Sequence, residues 1–166
     1  MKKNIIIAFL FFSVNNGLLA QNFLNYSLVN IKEYLSSDLN IEYSEKMVQP
    51  DEIEIQYNFK EDPYKVYMIY LKKVEDQSFL CFHETVIMPY SQEILDIMWK
   101  HFEGLGYVKT NYKTKNGFPV FTPKKDSIEG ITKHYLVFYI IDGEDENEVY
   151  LLLDWVLSTK EFILKN

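Results

Sequence analysis

Cys81, His83 and Glu84 stand almost side by side, and thiol, imidazole and carboxylate are the groups from which nucleophile–base chemistry is assembled. On a strand, neighbouring side chains point to opposite faces, so His83 and Glu84 cannot meet through that strand, whereas Cys81 and His83 share a face. A catalytic thiol needs an electropositive, accessible setting, and Phe79, Leu80 and Phe82 offer the reverse. The expectation is a buried, inert cysteine. The other histidines, His101 and His134, fall on separate elements, no pair has H-x-x-x-H spacing, and no second cysteine exists to complete a zinc set. A hydrolase would require His83 or His134 beside a carboxylate and a hydroxyl in one cleft. There is no glycine-rich phosphate loop and no Gly-x-Ser-x-Gly elbow. Asp142–Glu148 has oxygen ligands at alternate positions, as a calcium loop does, but lacks that loop's central glycine and terminal glutamate. A solvated hairpin loop is expected there, and nothing in the chain asks for a cofactor or a metal.

The charge distribution says more. From Gly104 to Lys125 there is no acidic residue, while Lys109, Lys113, Lys115, Lys124 and Lys125 supply five positive charges. Tyr107, Lys109, Asn111, Lys113 and Lys115 are all odd-numbered, so on a regular strand they project from one face. Two accounts compete. Lysines on an edge hairpin block edge-to-edge aggregation. Alternatively, Tyr107, Lys109, Asn111, Lys113, Lys115, Lys124 and Lys125 form a contact surface for an anionic extracytoplasmic protein, glycan or lipid headgroup. The chain contains no arginine, so two-point guanidinium recognition of phosphate or carboxylate is absent. The net charge of −7 argues against nucleic acid as a partner.

These residues must be held by elements whose periods are legible. Leu24, Leu28, Ile31 and Leu35 repeat at helical spacing, predicting one amphipathic helix within 23–39. Ile53, Ile55, Tyr57 and Phe59 alternate with polar residues as in a half-buried antiparallel strand. Tyr64–Leu71 and Ser78–Met88 are apolar on both alternations, which suits central strands. Ser91 caps a second helix whose apolar face is Ile94, Leu95, Met98, Phe102 and Leu105, and Gly104 and Gly106 end it. Asn116-Gly117 predicts a hairpin turn, and Pro119 in the returning strand predicts a sheet edge. Thr132–Ile141 and Glu148–Leu157 are the last two strands. The resulting class is α+β, an antiparallel sheet of about eight strands with two helices packed on one face. Residues 23–88 and 91–157 each read as an α-β-β-β-β unit, the order a duplication would leave.

The chain opens with a basic Met1-Lys2-Lys3, continues with the apolar run Ile5–Val14, and reaches Ala20 before Gln21. That is the pattern of a cleavable signal peptide, 1–20, with the cut at Ala20–Gln21. The run is too short to span a bilayer. Residues 21–166 then form a single domain, secreted or periplasmic and not transmembrane. Loss of Lys2 and Lys3 takes the net charge from −7 to −9. The reading is an exported non-enzymatic binding protein. The alternative is a carrier of a small apolar ligand in an aromatic-lined cavity.

Overall fold

The computed structural model describes residues 23–75, 77–124, 134–144, 148–157 and the backbone of 163–164. The expected signal peptide, 1–20, and Lys125 lie outside the described residues. The first helix starts later than its apolar spacing predicts. α1 spans Leu28–Glu33, capped by the Ser27 hydroxyl, which accepts the Asn30 N–H, and continues as a π-helical turn, Tyr34–Asp38. Residues before it are held elsewhere. Asn25 adopts a left-handed φ of 69°, its N–H donates to the Cys81 carbonyl, and the Cys81 N–H donates to the Tyr26 carbonyl. That strap is incompatible with helix, whose backbone needs negative φ.

Eight strands follow the expected order: β1 Tyr43–Gln49, β2 Glu52–Phe59, β3 Asp62–Lys73 and β4 Phe79–Pro89, then α2 Gln92–Gly104, then β5 Tyr107–Thr114, β6 Pro119–Pro123, β7 Tyr135–Asp142 and β8 Val149–Val156. A two-residue β9, Ile163–Leu164, was not legible in the sequence. All pairs are antiparallel, in the order β1-β2-β3-β4-β8-β7-β6-β5-β9. Each half is thus a helix followed by a four-strand meander. The two meanders meet along β4 and β8, so the order is symmetric about that seam.

One row of cross-strand partners runs through the sheet: Glu45, Ile55, Ile69, Glu84, Trp155, Leu136, Phe121 and Lys109, one from each of β1, β2, β3, β4, β8, β7, β6 and β5. This inner face carries both helices. Ile31 and Leu35 from the first, and Leu95, Met98 and Phe102 from α2, join Ile55, Ile69, Leu153 and Phe138 in one buried cluster. At each end of the row an ion pair ties the sheet to a helix: Lys32 of α1 to Glu45 at 2.7 Å, and Glu103 of α2 to Lys109 at 2.9 Å. Burying two helical apolar faces against a sheet is what closes this chain into an α+β layer structure. Among the described residues no helix is long and apolar enough to cross a membrane.

One local expectation changes. β6 is not an edge: it pairs with β5 and β7. Pro119 is tolerated because it is the first residue of that strand, where a missing N–H breaks no ladder in the middle. The Asn116-Gly117 turn forms as expected, with Gly117 at φ 81° and the Thr114 N–H donating to the Phe118 carbonyl. Gly143 is required by contact rather than φ, since a Cβ there would meet Glu148 Cβ at 2.5 Å.

Candidate functional site

The β5–β6 hairpin does not present the single basic face that a regular strand would. Tyr107 is buried, stacked edge-on against Phe102, and its hydroxyl lies 2.7 Å from His134 Nε2. Burial is the main reason its pKa is pushed up to about 12. It belongs to the core and not to a contact surface. Lys109, two residues on, lies on the same inner face beside α2. Its ammonium sits 5.9 Å from the ring centres of Trp99 and Phe121 and is paired with Glu103. The ladder then breaks: Lys109 opposes Phe121 and Lys113 opposes Pro119, so β5 carries two more residues than β6 over this stretch. The excess forms a bulge in which the Thr110 hydroxyl accepts the Tyr112 N–H and Asn111 is exposed. Lys113, Lys115 and Lys124 are exposed. Lys113 is flanked on both sides, by Pro119 in β6 and Leu164 in β9.

A second bulge re-aims the chemistry at β4. Tyr70 pairs with His83 and Leu71 with Cys81, so Phe82 is an extra residue in the ladder. Cys81 therefore faces the inner core and His83 the outer face, contrary to the shared face that strict alternation gives. Cys81 is wholly buried, and burial raises its pKa well above the usual thiol value, as the inert reading requires. On the outer face His83 stacks on Tyr70, with ring centres 4.9 Å apart, and its Nε2 lies 3.0 Å from Thr85 Oγ1 and 3.4 Å from Asp154 Oδ1. Asp154 is fully buried, and among the described residues its carboxylate is approached by His83 and by the Tyr139 hydroxyl. It raises the pKa of Tyr139 further, after burial.

A carboxylate, an imidazole and a hydroxyl thus do meet, but not as a relay. In a catalytic triad the acid and the nucleophile engage opposite ring nitrogens. Here Asp154 and Thr85 both approach Nε2, and Thr85 is itself buried. The arrangement orients a histidine without passing a proton through it. Asp154 escaped sequence reasoning, although a lone carboxylate inside Leu151-Leu152-Leu153-Asp154-Trp155-Val156 was the signal available. His101, on α2, lies against Phe102, far in sequence and element from the other two, and burial lowers its pKa.

Between α2 and the sheet the aromatic side chains fill space themselves. Trp99 meets Phe118, Phe121 and Phe138, and Phe102 meets Phe138 and Trp155, at ring distances of 5.9 to 6.4 Å. A groove of about 410 Å³ opens instead at the sheet margin, lined by residues 39–42 and 58–61, where Asn40, Glu42, Asn58, Lys60 and Glu61 are polar. Comparison with known families, curated proteins and solved structures finds no match to this chain.

Proposed function

We propose that the protein is an exported, non-enzymatic binding protein that offers the β5–β6 hairpin to an anionic extracytoplasmic partner: an acidic protein surface, a glycan or a lipid headgroup. The observation that supports this most is the setting of Lys113. Edge protection would explain a lysine on an unpaired strand, but Lys113 is flanked by strand on both sides. The stretch of β5 that does face outward is already broken by the bulge at 110–112, which itself discourages strand addition. Lys113 and Lys115 therefore stand as exposed positive charges on an otherwise acidic chain. Lys109 is neutralised by Glu103 and contributes little.

The test is the double variant Lys113→Gln, Lys115→Gln beside Lys109→Gln, titrated against a sulfated glycan, anionic vesicles and an acidic peptide at low and high salt. The double variant should lose most of the binding and the steepness of its salt dependence, while Lys109→Gln stays near wild type. Stability should move by no more than about 0.5 kcal/mol per site. Unchanged binding by the double variant, with increased light scattering, would return these lysines to edge protection.

A further inference from the structure

We propose that the groove at the sheet margin, between the exit of the first helix and the turn joining β2 to β3, is a binding site for a neutral saccharide. Its volume of about 410 Å³ falls within the range of small-molecule sites. Leu39, Ile41 and Phe59 give it an apolar lining, and each is half-buried against the main core. Around them stand Asn40 and Glu42 on one wall, and Asn58, Lys60 and Glu61 on the other. Both walls are fixed from outside the groove. The Leu39 N–H donates to the Tyr34 carbonyl and the Ile41 N–H to the Leu35 carbonyl. Asn40 takes a left-handed φ of 49°, a conformation that asparagine tolerates. On the opposite wall Phe59 pairs with Asp62, Lys65 bridges to Asp62, and the Asn58 amide donates to the Lys65 carbonyl. Walls already held in place need little ordering when a ligand arrives.

The ligand class follows from what the side chains leave unengaged. Among the described residues Asn40, Glu42, Lys60 and Glu61 are exposed and make no side-chain hydrogen bond or ion pair. They offer ammonium and amide donors beside carboxylate and amide acceptors. Sugar hydroxyls, each both donor and acceptor, are satisfied by such a mixture. The Phe59 ring is held edge-on by Tyr57 and Tyr67, with ring centres at 5.8 and 5.1 Å. Among the described residues no aromatic ring stacks parallel on it, and the negative face of such a ring attracts the C–H face of a pyranose. Charge disfavours the rival occupants. Glu42 and Glu61 repel an anion, and Lys60 repels a cation, while Lys65 is already committed to Asp62. The groove adjoins β1 and β2, at the other margin of the sheet from the β5–β6 hairpin, so the two proposals stand or fall separately.

The test is amide-resolved NMR of the purified protein, titrated with cellobiose, maltose and N,N′-diacetylchitobiose, neutral disaccharides that differ in linkage and substituents. At least one should shift the signals of residues 39–42 and 58–61 and saturate with a Kd of about 1 mM. Sodium phosphate and lysine amide, added in parallel as anion and cation, should leave those signals in place. Phe59→Leu keeps the lining apolar but removes the ring, and should weaken binding by about tenfold. Glu42→Ala with Lys60→Ala removes only exposed groups, and should weaken binding by about fivefold or more with thermal unfolding unchanged. If Phe59→Leu does not fold, the exposed pair decides. No shift at these residues with any of the three sugars overturns the proposal. So does a response there to phosphate or lysine amide alone, or sugar binding that the double variant leaves untouched.

Discussion

At the scale of single residues, the two carboxylates nearest the centre of the sheet are the costly ones, and they lie on opposite faces. Asp154 has the His83 imidazole nitrogen at 3.4 Å. Among the described residues Glu84 has two backbone N–H groups, and burial pushes its pKa up to about 7 from 4.5, those bonds pulling it the other way. A carboxyl whose folded pKa is raised binds its proton more tightly in the folded state. Its contribution is fully present below about pH 4.5 and is lost as pH rises through 7. The protein should therefore lose about 3 kcal/mol from this group between pH 4.5 and pH 8. Glu84→Gln should flatten that part of the profile. Urea unfolding at a series of pH values measures it, and a profile as steep in the glutamine variant would show that another group is responsible.

At the scale of elements, the informative features are the places where a strand departs from its own period. Phe82 adds one residue to β4 and sends Cys81 and His83 to opposite faces. The added residue also sets the position of Cys81, whose backbone holds the strap at Asn25 and Tyr26. Deleting Phe82 restores a regular ladder only by turning one end of the strand over, and a one-residue slip moves every side chain beyond it to the wrong face. The deletion should destabilise the protein by about 3 kcal/mol or more, since it removes Cys81 from the core and strips the strap of its partners. Phe82→Ala keeps the extra residue and should cost only about 1 kcal/mol. Equal losses from the two changes would mean that the Phe82 side chain, and not the bulge, matters.

At the scale of the whole molecule, stability depends on the seam. β4 and β8 are central strands buried on the inner face, and each is the last strand of its meander. Cutting there would expose Val86 and Met88 on one side and Leu151, Leu153 and Trp155 on the other. Each half alone also has only one helix to cover four strands, and small chains bury too little surface to stand alone. Residues 21–90 and 91–166, expressed separately, should show no cooperative thermal transition, and mixing them should restore one. A cooperative transition in either fragment alone would show that the halves are independent domains, whatever their symmetry.

The amino-acid sequence by itself determined the elements. The alternation of Ile53, Ile55 and Tyr57 predicts β2, the spacing of Leu95, Met98 and Phe102 with Ser91 as cap predicts α2, and Asn116-Gly117 predicts the turn between β5 and β6; all are present. These signals are local, because period and capping act over a few residues. Cys81 was legible as a buried thiol for the same reason: its apolar neighbours are adjacent in the chain. Tertiary structure decided what faces what. Strict alternation put Tyr107 with the exposed lysines and Cys81 with His83, and both assignments failed where a helix covers one face or a bulge shifts the register. Bulges, strand order and the cover over a face come from pairing between segments far apart in sequence. No local period records them, and so the meeting of His83 with Asp154, and of Glu84 with Phe23 and Leu24, appeared only in the folded chain.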